Sequence, residues 1–408
     1  MNDSQGTRYD VAEIFRKNIN EFKRSHHLSY EQSQAVRAIM DCRTPALGGV
    51  LNACAECGHW EFCYKSCKDR HCPKCGAFEK AQWLESQKVW LLPIPYFHVV
   101  FTIDHLFNPL VWRNQEVMYT FLIQTAVQLL KEYAMKYLGG EIGFTMVLHT
   151  WGQTMQEHPH LHFIVTGGAL VTTPDGHRWQ PAKRKYLFDA IDLSKDFRRM
   201  FCEGVRQLWQ AGSLDTHEGQ FAVARIVAEA EAKDWEVFIQ PPLYGVEKLL
   251  EYLGRYIFRI AISNHRIVSV TRDSVTFTYY DNRDKSEVKQ LKKMTLSSLE
   301  FMRRFLMHVL PSRFVRIRHY GLHQGSSRNK LRIARHLLGE SSQLPVIFQL
   351  KLLDWLKKIL KTEQDPRLCR VCHKGLMLAV REIAPMSGWR ANLLSFIGSF
   401  VRWKVFVA

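Results

Sequence analysis

At 408 residues the chain is too long for one ordinary core and points to two or three domains. A hydrophobic fraction of 46% marks it as globular, and a formal charge of +17, from 56 Lys+Arg against 39 Asp+Glu, favours a polyanionic partner, nucleic acid first. The polar start Met1-Asn-Asp-Ser-Gln-Gly lacks the parts of a signal peptide, and the apolar stretches 89–103 and 393–407 are broken by prolines and charges, so neither secretion nor a transmembrane helix is expected.

Helical spacing of apolar residues between Tyr9 and Met40 predicts a helical segment, assigned to 1–45. A cysteine-rich stretch follows over 47–78, then a helix over 79–90 stopped by Pro93 and Pro95, together a zinc-binding domain at 46–92. From Tyr96 the character changes. Strands are predicted over 97–103, 143–151, the stretch around His160, 235–240, 266–271 and 275–280. Helices are predicted over 110–138, 194–209, 246–256 and 297–309. Strands mixed with helices, with few βαβ repeats, give an α+β fold, here a domain at 93–310. From Arg313 the chain reads as basic and mostly helical, a C-terminal region at 311–408.

Seven of the ten cysteines fall between Cys42 and Cys75, and two more form Cys369-Arg-Val-Cys372, a clustering that favours thiolate metal ligands over disulfides. Cys54-Ala-Glu-Cys57 and Cys72-Pro-Lys-Cys75 suit one tetrahedral, structural zinc ion, Zn2+. Cys63 reads as a spare core cysteine. Cys67 and His71 are also surplus to that ion. With Cys369 and Cys372 they form a candidate second zinc site that would fasten the C-terminal region to the N-terminal module.

In His158-Pro-His-Leu-His162, His160 and His162 stand two apart in an apolar run. On a strand both imidazoles share a face, which is how a sheet holds one metal ion. Gln153, on the preceding hairpin arm, is the candidate third ligand; His158 reads as a surface residue and His149 equally as a core histidine. Tyr252-Leu-Gly-Arg-Tyr256 puts two tyrosines side by side on one helical face. Leu249, Leu250, Leu253 and Ile257 make packing the alternative reading, whereas Arg255, Arg259 and the room left by Gly254 favour a substrate. A phenol, with a reference pKa of about 10, is a poor nucleophile at neutral pH. A cation on the phosphate compensates by withdrawing charge, so the constellation points to metal-assisted attack of tyrosine on phosphate.

These motifs, with Ser66-Cys-Lys-Asp-Arg-His-Cys-Pro-Lys-Cys75, Leu148-His-Thr-Trp-Gly-Gln153 and Phe314-Val-Arg-Ile-Arg-His-Tyr-Gly321, resemble the rolling-circle insertion-sequence transposases of the His-hydrophobic-His class that carry an N-terminal zinc-binding domain. The resemblance runs over about 43–335. It implies a central antiparallel sheet bearing the metal-binding histidines and a helix bearing the nucleophile. It further implies cleavage of single-stranded DNA with Mg2+ or Mn2+, leaving a 5′-phosphotyrosine link and a free 3′-hydroxyl. His160 and His162 would be metal ligands, and Tyr252 and Tyr256 nucleophiles, so that one subunit can make two successive cleavages. The implied setting is a bacterial cytoplasm, in association with the nucleoid.

Residues 313–335 hold Arg313, Arg316, Arg318, Arg328, Lys330, Arg332 and Arg335 without an acidic residue. With Phe314 and Tyr320 as stacking platforms, the segment is expected to bind the element end, a hairpin with flanking single strand, alongside target DNA. Two alternatives stand beside this reading: a non-catalytic zinc-module DNA-binding protein, and a metal-dependent nuclease that uses water. A tyrosine recombinase of the Arg-His-Arg type is disfavoured, since none of the 18 histidines is followed three residues later by arginine.

Overall fold

A computed structural model describes residues 9–183, 186–216, 220–257, 260–281, 290–346 and 349–386. In chain order its strands are β1 (Gly49–Cys54), β2 (Trp60–Tyr64), β3 (Tyr96–Thr102), β4 (Gly143–Trp151), β5 (Glu157–Thr166), β6 (Gly168–Thr173), β7 (Gly176–Pro181), β8 (Val237–Ile239), β9 (Ile267–Val270), β10 (Ser274–Tyr280), β11 (Leu291–Ser297), β12 (Ile317–Gly321) and β13 (Met377–Ile383). They pair antiparallel into four sheets, ordered β13-β1-β2, β11-β10-β9, β12-β4-β5-β3-β8 and β6-β7. The fold is α+β.

The chain divides into two compact units that are not consecutive segments: one takes 1–82, 260–309 and 349–408, the other 83–259 and 310–348. The expected C-terminal region 311–408 is therefore divided between them. Its helices Arg328–Leu337 and Leu352–Leu360 are accompanied by two strands, β12 and β13, each built into a sheet with strands from far earlier in the chain.

In the first unit the helix Val11–Ser25 starts at Asp10, whose carboxylate accepts from the Glu13 N–H, and buries Val11, Ile14, Phe15, Ile19 and Phe22 on one stripe. Phe15 meets Phe305 edge to face at 5.3 Å, so the helix Ser298–Met307 covers that stripe. A capping box between Ser29 and Gln32 opens the next helix, Tyr30–Asp41, and Gln32 also donates to the Leu306 carbonyl at 3.0 Å. Segments more than 250 residues apart thus share one small core.

The second unit is organised by its five-stranded sheet, whose two faces differ sharply. Phe97, Val99 and Phe101 on β3, Phe144, Met146 and Leu148 on β4, and Leu161, Phe163 and Val165 on β5 alternate onto one face and are buried. The helices Gln115–Leu138 and Ala190–Gln210 supply the facing side chains of that core, with Phe101 and Phe197 4.9 Å apart. At about 1.5–3 kcal/mol per buried large apolar side chain, this face dominates the stability of the unit. The opposite face carries a group of histidines.

Candidate active site and metal centres

Directly opposed residues of an antiparallel pair share a face. β4 and β5 set His149 opposite His160 and Val147 opposite His162, while β3 and β5 set His98 opposite Ile164. His98, His149, His160 and His162 therefore project from the same side of the sheet. A nitrogen from each of His149, His160 and His162 lies within 4.8 Å of the others, close enough for one ion to meet all three. The helix Val246–Ile257 packs Leu249, Leu250 and Leu253 with Tyr96, Val147 and Ile164 of this face, and Tyr252 is half-buried beside them.

Three hydrogen bonds fix the imidazoles. His160 Nδ1–H donates to the His158 carbonyl at 2.6 Å, so Nε2 is the nitrogen an ion would meet. His162 Nδ1 lies 2.8 Å from Nε2 of His98, and His98 Nδ1 lies 2.6 Å from the hydroxyl oxygen of Tyr252. Tyr252 in turn donates to Gln240 Oε1 at 2.6 Å. An ion at His162 Nε2 requires the proton on His162 Nδ1. That proton points at His98 Nε2, so neutral His98 carries its own proton on Nδ1 and donates to the phenol oxygen. Burial pushes His98 down to about 4, with a hydrogen bond to Gln240 opposing it, so the ring is neutral at physiological pH.

Gln153, the expected third ligand, sits on the turn between β4 and β5, whereas the third nitrogen beside His160 and His162 belongs to His149. His149 and His98 were both missed as site residues. His149 is set by strand register, and His98 by a contact 64 residues away in sequence. Tyr256 and Arg255 fall on the last turn of the tyrosine helix, but their side chains lie outside the described residues, as does Arg259 altogether.

The cysteines form two four-thiol clusters, partitioned differently from the expectation. Cys54 and Cys57 join Cys369 and Cys372; Cys72 and Cys75 join Cys42 and Cys67. The reason is the pairing of β1 with β13, which sets Cys54 opposite Met377 and brings the late knuckle to the first early one. A Cβ on Gly375 would fall 2.5 Å from Cys54 Sγ, so the turn after the late knuckle needs a glycine. His71 is not a member of either cluster: its ring bonds Asp69 at 3.1 Å, and Cys42 takes the fourth place. Cys63 is exposed on β2 rather than in a core.

Within the clusters Sγ atoms stand 3.6 Å apart for Cys54 and Cys372, 3.7 Å for Cys57 and Cys369, 3.6 Å for Cys67 and Cys75 and 3.2 Å for Cys42 and Cys75. Tetrahedral zinc with bonds of about 2.3 Å requires edges of roughly 3.8 Å. A thiol hydrogen bond with Cys72 pushes Cys67 down to about 6, and backbone N–H groups of Gly375 and Lys374 do the same for Cys372. Each cluster thus holds a thiol already biased to the ligating thiolate. The donor sets fit structural zinc.

The basic segment is only partly exposed. Arg313, Arg328, Lys330 and Arg332 face solvent, whereas Arg316 and Arg318 are half-buried. Lys330 is paired with Glu141 at 2.6 Å, and the Arg328 guanidinium lies over Trp90 at 5.9 Å. Phe314 is buried in the main core, so it does not serve as the expected platform for bases, whereas Tyr320 is half-buried and stacks on Phe144 at 5.2 Å.

The family described as "Transposase zinc-binding domain" matches residues 14–103, and the family described as "Putative transposase" matches residues 143–330. The chain is 38% identical over 391 residues to "Putative transposase y4qJ" of Sinorhizobium fredii (strain NBRC 101917 / NGR234), covering 93% of this chain and 96% of the relative. The chain belongs to the transposases with a zinc-binding domain. The transposase is also 27% identical over 295 residues to "Transposase for insertion sequence element IS801" of Pseudomonas savastanoi pv. phaseolicola, covering 71% of this chain and 69% of the relative. No solved structure matches it significantly. Membership makes DNA the substrate of this transposase, and the zinc-binding-domain match over 14–103 together with the thiol clusters supports structural zinc. Among the described residues no helix is long and apolar enough to cross a membrane.

Proposed function

We propose that this transposase cleaves and rejoins single-stranded DNA through a 5′-phosphotyrosine link, mobilising an insertion sequence by a rolling-circle-like route. The observation that carries the reading is the hydrogen-bonded line from Tyr252 through His98 to His162, at 2.6 and 2.8 Å, which ties a nucleophile to the histidine cluster. His149, His160 and His162 would hold the ion, with Gln153 proposed as a further oxygen donor. A bound divalent cation supplies Lewis-acid polarisation of a phosphate oxygen. Three imidazoles suit Mn2+ better than Mg2+, which prefers oxygen ligands.

The phenol oxygen of Tyr252, giving up its proton to solvent, attacks phosphorus, the bond from phosphorus to the 3′-oxygen breaks, and the 3′-oxygen takes a proton from solvent and leaves as a hydroxyl. The Nδ1–H of His98 points at the oxygen that becomes the phenolate, so it stabilises the charge that develops there. Gln240 receives the phenol hydrogen bond and orients it. Reversal, with a 3′-hydroxyl attacking the phosphotyrosine, rejoins strands without ATP because the link retains the diester energy. Tyr256, one turn on, is the proposed second nucleophile, and Arg255 and Arg259 are proposed phosphate contacts. Arg313, Arg316, Arg318, Arg328, Lys330 and Arg332 are proposed to hold hairpin and flanking single-stranded DNA at the element ends. The two thiol clusters are proposed to bind one zinc each.

The test is to mix the transposase with single-stranded oligonucleotides from its element ends and Mn2+, then look for a covalent adduct and locate it by mass spectrometry. An adduct on Tyr252 or Tyr256 is expected. Its absence with every authentic end would overturn the reading.

A further inference from the structure

β2 is the edge strand of the β13-β1-β2 sheet, and it carries Trp60, Phe62 and Tyr64 at alternate positions. Period-two alternation puts the three rings on one face. Trp60 and Phe62 are 5.5 Å apart and Phe62 and Tyr64 6.2 Å, the latter pair nearly parallel at 9°. Successive rings thus repeat along one face of the strand, with Trp60 set edge-on to Phe62 at 78°. None of the three is buried. Across the sheet the same face continues through Leu51 to Arg381, paired in register, and through Ala53 to Leu378, which is 48% exposed. Arg381 is exposed, while Glu61 and Glu382 fall on the other face.

A structural zinc module has no need of three partly exposed aromatic rings in a row on an edge strand. Unpaired bases do: every base has a π-face, stacking on aromatic side chains is tolerant of sequence, and flanking cations engage the phosphates. The charge that favours a phosphate is local: with eight thiolates and two zinc ions the module as a whole is near neutral, but Arg381 is exposed on the ring face while Glu61 and Glu382 lie on the other. We infer that Trp60, Phe62 and Tyr64 form a stacking platform for unpaired bases of single-stranded DNA, with Arg381 as a phosphate contact. This rests on the proposed single-stranded substrate, and it assigns DNA recognition to a module otherwise explained by zinc alone.

The experiment compares the full-length transposase with Phe62→Leu and Tyr64→Leu variants, which keep an apolar side chain at each position. Binding is measured to oligo(dT) and to an abasic oligonucleotide with the same number of phosphates. The ratio of the two affinities is read within each protein, so loss of folded protein scales both and cancels. The wild type is expected to prefer oligo(dT), and each substitution to shrink that preference roughly five- to a hundredfold, with abasic binding little changed. No base preference in the wild type, or an unchanged preference in both variants, would overturn the platform. The adduct assay is scored separately. Base preference without an adduct removes the nuclease reading and keeps the platform, whereas an adduct with an unchanged preference does the reverse.

Discussion

Nε2 of His98 lies 2.8 Å from Nδ1 of His162, the two rings are nearly parallel at 7°, and the other nitrogen of His98 reaches Tyr252 at 2.6 Å. One buried imidazole, 2% exposed, thereby contacts both His162, a proposed ligand, and the phenol of Tyr252. Replacing it with His98→Phe keeps the volume and removes both nitrogens. Metal affinity at the histidine cluster is expected to fall about 10–100-fold, as for other partners of ligating histidines. Mn2+ titration of the variant, followed alongside the rate of adduct formation, measures this.

Tyr252→Phe separates chemistry from packing. The variant loses the hydrogen bonds to His98 and Gln240 but keeps the ring, so a cost of only about 1–2 kcal/mol in stability is expected. The adduct at this position should vanish while thermal unfolding shifts little. Adduct formation at Tyr252 is detected by peptide mass spectrometry, and persistence of full strand cleavage in a Tyr252→Phe, Tyr256→Phe double variant would favour water as the nucleophile.

Zinc stoichiometry tests the partition of the thiols. The wild type is expected to hold two zinc ions per chain and Cys369→Ser one, with the pairing of β13 on β1 weakened. Cys42→Ser should likewise reduce the count to one, whereas His71→Ala should leave it at two. Metal analysis of the purified proteins gives the numbers.

Acid stability is expected to depend on His323. Burial, with a smaller contribution from neighbouring His319, pushes it down to about 3, and its Nε2 has no hydrogen-bond partner among the described residues. The folded state refuses a proton that the unfolded chain accepts near pH 6.5, so stability is fully present above 6.5 and is lost as pH falls towards 3. The loss is on the order of several kcal/mol at most. Denaturant melts of His323→Gln between pH 7 and 4 should show a shallower decline than the wild type.

Arg328 and Arg332 lie one helical turn apart and face solvent, whereas Lys330 is held by Glu141. Neutralising Arg328 and Arg332 together is expected to lower the salt dependence of single-strand binding by roughly 1.4 in slope, and Lys330→Ala by less than half as much. Binding isotherms at several salt concentrations decide between them.

Much of this site was legible in local sequence because its signals have short periods. His160 and His162 share a strand face two residues apart, and Tyr252 and Tyr256 occupy one helix. What local reading missed depends on pairing between distant segments. His149 joins the cluster only through its register with His160 across a hairpin whose bulge lies between His149 and Trp151. The cysteine knuckles nearest in sequence look like natural partners, yet the β1–β13 ladder gives Cys54 and Cys57 to a knuckle more than 300 residues later. Phe314 looked like an exposed aromatic among arginines, but it meets Tyr119 edge to face at 5.9 Å inside the main core.

The distance between Cys57 and Cys369, 312 residues, also orders events during synthesis. At about 5–20 residues per second, the ribosome takes on the order of tens of seconds to follow the first knuckle with the second. Through that interval two thiols wait, and the edge of β1 that β13 later covers has no partner from this sheet. A chain interrupted before Cys369 retains the histidines and tyrosines yet leaves its first thiol cluster half made, so translation must run past Cys372 and β13 before this module can close.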